Sequence, residues 1–440
     1  MDILIKVIQL FLCFTLLVGI HELGHFLMAR VFGIRVEKFY IFFDPWFSLF
    51  KFKRGGTEYG VGWLPLGGYV KIAGMIDESM DKEQMKQPVK PDEFRAKPAW
   101  QRLLVMVAGV MMNVLLAIVI YCAVCYTWGD SYFSNQDAKW GYNFNPTAHE
   151  MGFRDGDRFV SIDGEEIDNV MRVQNDLLIT DGGRRVIVER GGEPVTLDIP
   201  FESLLRMRQE KAYEDLFTLR LPFIVDSVSY TSAVEAGLES GDEVVAIDDL
   251  RDADYPRYRD YLQKHKNDKV LLTVRRDGAL IDSLALPVDA EGRIGVTVTN
   301  PYSLRTQYYT FWESIPAGIH KAGKTISSYW DQLKLIVQPK TKMYEELGGF
   351  VAIGSIFPSS WDWHDFWLKT AFLSIILAVM NLLPIPGLDG GHALFTLWEI
   401  ITRRKPSEKF LEVAQYVGLM IILALLVYAN GNDIYRFFIK

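Results

Sequence analysis

Cysteine is scarce in this 440-residue chain, and an excess of basic residues is lacking. The three cysteines are Cys13, Cys122 and Cys125, and all lie in apolar segments, which argues against a disulfide framework or a cysteine-rich zinc site. Lys and Arg total 47 against 55 Asp and Glu, a formal net charge of −8. We therefore expect no disulfide scaffold and no nucleic-acid partner.

What the chain has instead is long apolar runs on either side of a polar middle. Four runs approach or exceed the roughly 20 residues that a membrane-spanning helix needs. A cleaved signal peptide is the alternative for the first run, but its apolar stretch is too long and no small-residue cleavage site follows. The predicted transmembrane helices fall in residues 1–30, 102–127, 366–392 and 410–430.

Two histidines four residues apart lie inside the first of these runs. On a helix, His21 and His25 share one face, where their imidazoles can bind one metal ion. Glu22 beside them can act as a general base on a water molecule held by that ion. Ionisable residues are costly in lipid and mark functional sites. The motif therefore predicts a zinc hydrolase site within the membrane.

A catalytic zinc site commonly has a third protein ligand, and the end of the third run offers two candidates. Prolines at positions 384 and 386 should break the helix, so we expect Asp389 on irregular backbone near the membrane. Spacing alone does not decide between Asp389 and His392. Asn381 could hydrogen-bond the substrate or an oxyanion, or cap the broken helix. Asn113 in the second run could act near the site or only join two helices.

Residues 31–101 contain a Pro- and Gly-rich stretch, residues 59–74, that reads as strand, turn, strand. It could be a small surface hairpin. Because it is unusually apolar, the stronger interpretation is a β-hairpin that enters the membrane beside the metal site, shielded there by protein. Its free edge would then hold an extended substrate by strand addition, with Gly60 and Gly62 among the substrate contacts.

The polar middle is internally repeated. Residues 148–164 resemble residues 233–249 at a constant offset of 85, which predicts two tandem domains at 128–210 and 211–300. Their features resemble PDZ domains, which bind extended peptides or chain ends. A role as spacers or steric gates is equally open.

Residues 301–340 carry apolar residues at helical spacing with lysines between them. This predicts an amphipathic helix that lies on the membrane surface or covers the edge of the second PDZ-like domain. The fold class is thus a multi-pass α-helical membrane protein with four transmembrane helices, a membrane-associated β-hairpin and two tandem PDZ-like α+β domains outside the membrane.

Basic residues predict the topology. Arg403, Arg404 and Lys405 place the loop between the third and fourth runs in the cytoplasm, and basic residues in 31–101 place that loop there too. The amino terminus, the PDZ-like pair and the carboxyl terminus would then lie outside. The metal motif and Asp389 would both approach the cytoplasmic side.

Taken together, these motifs resemble the site-2 protease family of intramembrane zinc metalloproteases, in particular its bacterial branch with two PDZ domains. The resemblance covers essentially the whole chain. It is carried by His21-Glu22-x-x-His25, Gly60-x-Gly62, Phe94-x-x-Lys97, Gln101-Arg102 and Asn381-x-x-Pro384-x-x-x-x-Asp389-Gly390.

The resemblance implies Zn²⁺ on His21, His25 and Asp389, with Glu22 as the base. It implies cleavage of single-span membrane proteins in the bacterial inner membrane, after a site-1-type protease has cut the same substrate. Anti-sigma factors and signal-peptide remnants would be the substrates, and the PDZ pair a size filter.

Two family motifs are altered. Gly109 is followed by Val110 where the family usually has proline, and a second Gly-Pro pair appears as Gly348-Gly349. An inactive PDZ-bearing membrane scaffold is the main rival, but neither the base nor a ligand is lost. A metal transporter would need more intramembrane carboxylates and histidines.

Overall fold

A computed structural model of the chain describes residues 2–64, 67–75, 88–210, 212–213, 215–251 and 254–439. They divide into two compact units, residues 1–130 with 307–440 and residues 131–306. Four helices in the described residues have the length and apolar composition to cross a membrane: Ile3–Val31, Ala99–Trp128, Trp363–Leu382 and Lys409–Phe437. A membrane protein with additional β structure is therefore confirmed.

The first two and the last five of the described α-helices belong to the membrane unit, and the five between them belong to residues 131–306. In order they are α1 Asp2–Val31, α2 Ala99–Trp128, α3 Pro146–Glu150, α4 Val173–Leu178, α5 Phe201–Gln209, α6 Thr231–Glu235, α7 Tyr255–Lys264, α8 Phe311–Val337, α9 Phe350–Ser355, α10 Trp363–Leu382, α11 Asp389–Thr402 and α12 Glu408–Ile434.

The strands fall into a first group near α1 and a second group after residue 130. They are β1 Val36–Ile41, β2 Phe43–Arg54, β3 Thr57–Leu64, β4 Tyr69–Ile72, β5 Asp130–Tyr132, β6 Tyr142–Phe144, β7 Arg158–Ile162, β8 Glu165–Glu166, β9 Arg184–Arg190, β10 Glu193–Ile199, β11 Phe217–Leu219, β12 Phe223–Val228, β13 Glu243–Ile247, β14 Leu250–Arg251, β15 Lys269–Arg276, β16 Ala279–Pro287, β17 Val296–Val298 and β18 Arg305–Gln307.

The first four strands form one sheet in the order β2-β3-β1-β4, which corrects the predicted hairpin. Strands form at both ends of residues 59–74, but β3 and β4 do not pair, because β1 lies between them. It pairs parallel with β3 and antiparallel with β4. β1 takes this central place because Val36 and Tyr40 are both fully buried. The turn predicted at Pro65 and Leu66 lies outside the described residues.

The predicted amphipathic helix forms as α8, and the structure shows what it packs against within the membrane unit. Ala322 and the partly buried Ile326 and Tyr329 join a core with residues of α2 and α10. Gly318 permits the close approach, since a Cβ there would lie 2.6 Å from the backbone nitrogen of Cys122. α8 is therefore a helix of the membrane unit that packs against two spans.

The third apolar run is interrupted as the prolines predicted, yet Asp389 is not on irregular backbone. α10 ends at Leu382, and α11 begins at Asp389 after an extended residue, Leu388. An acidic first residue is favourable here because it faces the positive end of the helix dipole. Only the place of Asp389 differs from the prediction: its carboxylate is carried by the first residue of a helix and not by irregular backbone.

The unit of residues 131–306 contains two lobes with separate cores, one around Phe159 and one around Tyr258. Their sheets have the orders β10-β9-β7-β8 and β16-β15-β13-β12-β17. Both lobes contain a buried aspartate held by two hydrogen bonds from one arginine, Arg190 to Asp157 and Arg276 to Asp242. The two aspartates are 85 residues apart, the offset of the sequence repeat.

Gly418 on α12 is expected to be essential for packing in the membrane unit. A Cβ at this position would lie 1.3 Å from the carbonyl oxygen of Pro386, in the connection that leads to Asp389. We expect Gly418→Ala to destabilise the protein by about 1–3 kcal/mol, the usual cost of overpacking. Thermal unfolding of the detergent-solubilised protein measures this.

Gly431→Ala on the same helix is the matched control, since a Cβ there meets nothing within 4 Å. It should leave stability unchanged or raise it by up to about 1 kcal/mol through helix propensity. Equal unfolding temperatures for the two variants would contradict the packing described for α12.

Candidate metal centre

The two histidines of α1 meet α2 at an unusually close helix contact. A Cβ on Gly24 would lie 2.4 Å from the carbonyl oxygen of Ala108, and one on Gly109 would lie 2.4 Å from His25 Nε2. The glycines thus leave room for both imidazoles between the two backbones. His21 and His25 are 8% and 7% exposed, and their Nε2 atoms are 3.2 Å apart.

His25 is held in the orientation that a metal ligand needs. Its Nδ1 lies 2.8 Å from the carbonyl oxygen of Val105 and can only donate to it. The other ring nitrogen, Nε2, then keeps its lone pair for a metal ion. The sequence motif gave no hint of this partner, because any backbone carbonyl of a neighbouring helix could supply it.

Asp389 completes a compact triangle of ligand atoms. Its Oδ2 lies 3.1 Å from His21 Nε2 and 3.2 Å from His25 Nε2. Among the described residues, this is the group of three metal-ligating side chains whose atoms converge within 4.8 Å. His392, the competing candidate, lies on the wall of the same cavity but outside this group.

The triangle fits a zinc ion. Bonds of about 2.0–2.1 Å at tetrahedral angles put ligand atoms roughly 3.3 Å apart, close to the three observed separations. Asp389 Oδ2 is also buried without a hydrogen bond in the described part of the chain. A buried carboxylate oxygen with no hydrogen bond is available to coordinate a metal ion.

Glu22 and the edge of the β-sheet face a common cavity of about 880 Å³. Its wall includes residues of α1, α2, β2, β4, α10, the connection between α10 and α11, and α12. The backbone N–H of Val70 on β4 donates to the Glu22 carboxyl group. β4 is one of the two edge strands of this sheet, and within the described residues no strand pairs with its outer edge, which lies beside this carboxylate.

The four residues predicted to contact substrate have different places. Asn381 lies on the cavity wall, with Nδ2 3.5 Å from His21 Nε2. Asn113 is fully buried, and its Nδ2 lies 3.3 Å from His21 Nδ1, so it touches a histidine rather than the cavity.

Gly60 and Gly62 correct the predicted binding edge. Both lie on β3, which is paired on its two sides with β1 and β2 and has no free edge. A Cβ on Gly60 would lie 2.3 Å from the Tyr40 ring, and one on Gly62 would lie 2.1 Å from the carbonyl oxygen of Phe43. These glycines allow the sheet to pack, and β4 presents the edge instead.

Comparison with known proteins agrees with this geometry. The model of peptidase family M50 matches residues 9–425. The chain belongs to peptidase family M50. It is thus a zinc metalloprotease of the site-2 protease family, and both the predicted resemblance and the predicted zinc cofactor are confirmed.

Relatives of this M50 protease align over nearly their whole length. A protein of Clostridium perfringens that carries a zinc metalloprotease name is 30% identical over 426 residues, 96% of each chain. The regulator of sigma E protease of Haemophilus influenzae is 28% identical over 446 residues, covering 96% of this chain and 97% of its own. A zinc metalloprotease by name from Vibrio cholerae is 29% identical over 99% of both chains.

One contact that holds α11 in place was missed from the sequence. Arg102 at the start of α2 donates to Glu399 at 2.5 Å, and both side chains are largely buried. The Gln101-Arg102 motif marked the arginine, but its partner is 297 residues away. Since α11 begins with Asp389, this ion pair fixes the helix that carries the third candidate ligand.

Asp389→Ala is expected to reduce bound zinc, because two imidazoles alone leave the ion with too few protein ligands. Zinc per polypeptide, measured by atomic emission on the purified protein, should fall well below the wild-type value. His392→Ala is the control and should keep its zinc. Loss of zinc from His392→Ala, with zinc retained in Asp389→Ala, would instead identify His392 as the third ligand.

Proposed function

We propose that the chain is an intramembrane zinc protease that cleaves transmembrane segments of single-span proteins. In this proposal His21, His25 and Asp389 hold the zinc, Glu22 is the catalytic base and Asn381 contacts the substrate. The observation that carries this proposal is that the ligand triangle, Glu22 and the outer edge of β4 share one cavity whose wall includes residues of four spans.

The edge of β4 accounts for how a helical substrate becomes cleavable. A helix hides its peptide groups in internal hydrogen bonds, so a membrane segment must unwind before hydrolysis. Backbone groups freed at membrane depth need new partners, and an unpaired strand edge supplies them. A segment added to β4 would lie extended beside Glu22.

Zinc, when bound, supplies a Lewis acid that polarises the scissile carbonyl and acidifies a water molecule. Glu22 is placed to take the proton from the attacking water and to pass it to the leaving amine. Asn381, whose amide faces the same place, can donate a hydrogen bond to the carbonyl oxygen as negative charge develops there.

Asn113 acts in this proposal through His21 rather than on the substrate. If His21 Nε2 binds zinc, Nδ1 carries the proton and must donate. Among the described residues, nothing bonds to the buried Asn113 Oδ1, while Nδ2 lies 3.3 Å from that nitrogen. Rotating the side-chain amide by 180° brings Oδ1 to His21 Nδ1–H. The oxygen then has a donor, and two N–H groups no longer face each other.

The cellular setting follows from charge and from the relatives. Basic loops support an active site near the cytoplasmic side of the bacterial inner membrane, with residues 131–306 outside. The two lobes of that unit, as tandem PDZ-like domains, would exclude uncut proteins or bind chain ends. The sigma E regulator name of one relative supports anti-sigma factors as substrates, and signal-peptide remnants are the second class. A site-1-type protease would make the first cut.

The rival function is an inactive scaffold that binds membrane partners through the PDZ-like lobes. Such a protein would have no need to keep a carboxylate beside three converging ligand atoms. The two functions differ in one measurable property, hydrolysis of a membrane segment.

Glu22→Gln is expected to abolish cleavage of a reporter transmembrane segment while leaving zinc and fold intact. The amide keeps the size of the side chain but cannot accept the proton from water. Cleavage by the purified protein in proteoliposomes, followed on gels, measures the loss, with zinc content and unfolding temperature as controls. Undiminished cleavage would overturn the assignment of Glu22.

Asn113→Leu is expected to weaken zinc binding by about 10–100-fold, the usual effect of removing the partner of a metal-bound histidine. Asn113→Asp keeps an acceptor for Nδ1–H and should bind zinc nearly as the wild type does. Titration with a competing chelator measures both affinities. Ser374→Ala, which removes a hydrogen bond to the Asn113 carbonyl, is the packing control. Wild-type affinity in the leucine variant would refute this role.

A further inference from the structure

One carboxylate in the wall of the active-site cavity takes no part in the proposed reaction. Asp44 lies near the start of β2 and lines the cavity together with Glu22 and Asp389. Tyr69 donates to its Oδ1 at 2.8 Å, and Ser48 donates to its Oδ2 at 3.0 Å. Both donors are neutral hydroxyl groups, so the carboxylate is oriented but its charge is not neutralised.

The two lysines on the same wall are engaged elsewhere. Lys71 lies 3.6 Å from Glu37, and the ammonium group of Lys38 lies over the Tyr40 ring, 5.4 Å from its centre. Within the described residues, Asp44 forms no salt bridge. A carboxylate can accept about four hydrogen bonds, and the described residues supply two to Asp44, which lines the cavity.

The contact with Tyr69 fixes Asp44 to the strand that would hold substrate. Tyr69 is the first residue of β4, and its ring stacks on Tyr40 and Phe43 with centres 5.3 and 6.0 Å apart. Burial and the bond to Asp44 both raise the pKa of the Tyr69 hydroxyl group, so it stays a donor. The Asp44 carboxylate is therefore held in a fixed position beside the outer edge of β4.

We propose that Asp44 is a specificity residue that binds a lysine or arginine side chain of the substrate held along β4. This rests on the proposed protease function. Membrane segments carry Lys and Arg at their cytoplasmic flanks, and the proposed site approaches that side. Their long side chains reach several ångströms along the chain to a fixed acceptor. A charge-assisted hydrogen bond in a shielded cavity is strong enough to discriminate.

The test uses the full-length zinc-loaded protein in proteoliposomes and a set of reporter segments. The reporters are identical except for Lys, Gln or Glu scanned through the cytoplasmic flank. We expect the wild type to cleave the best Lys reporter roughly tenfold more efficiently than its Gln counterpart, mostly through a lower KM. Asp44→Asn should abolish this preference while cleavage of the Gln reporter and zinc content stay unchanged.

Charge reversal sharpens the test. Asp44→Lys should favour the Glu reporter over the Lys reporter, an outcome that a purely structural role of Asp44 would not produce. Glu58→Gln is the matched control, because Glu58 belongs to the same sheet and bonds to Tyr40. It should keep the wild-type preference for Lys.

Binding separates this inference from the protease function itself. In the Glu22→Gln background, labelled Lys reporters should bind about tenfold more tightly than Gln reporters, and Asp44→Asn should remove the difference. Binding preference without wild-type cleavage would overturn the protease function and leave the Asp44 contact standing. No preference in the wild type, or an equal loss for all reporters in Asp44→Asn, would overturn the proposed role of Asp44.

Discussion

The close contact between α1 and α2 is the constraint on which the rest of the membrane unit depends. Gly24 and Gly109 let two helix backbones approach until a pair of imidazoles fills the remaining space. Because the imidazoles fill the space between the two backbones, the packing of the helices fixes the positions of the histidines. The carbonyl group of Val105 then selects the nitrogen of His25 that remains free. A metal site in the membrane needs such rigidity, because few polar groups are available to correct its geometry.

The remaining elements bring one carboxylate to that fixed pair. A broken third span ends one helix at Leu382 and starts another at Asp389. Gly418 lets α12 close on the connection between them, and the Arg102–Glu399 pair holds the far part of α11. The helix break and these two contacts thus determine the position of one oxygen atom. The outer edge of β4 lies beside the same cavity, and in the proposed function it would hold an extended substrate segment.

The sequence singled out His21, Glu22 and His25, because motif spacing and the cost of ionisable residues in lipid are local properties. Asp389 came from the family resemblance, since spacing alone left His392 open, and the structure brings the Asp389 carboxylate to the two imidazoles. The sheet order could not be predicted, since β1 enters between two strands that are consecutive in sequence. The packing of α8 on the spans likewise depends on Gly318 meeting Cys122, nearly 200 residues away. Partners across such distances leave no local pattern, and the same holds for Asp44 with Tyr69.

Anomalous diffraction at the zinc edge from crystals of the zinc-loaded protein tests the central claim most directly. The account predicts one peak about 2.0–2.2 Å from His21 Nε2, His25 Nε2 and a carboxylate oxygen of Asp389. A peak bound by His392 in place of Asp389, or a zinc ion located away from the two histidines of α1, would contradict it.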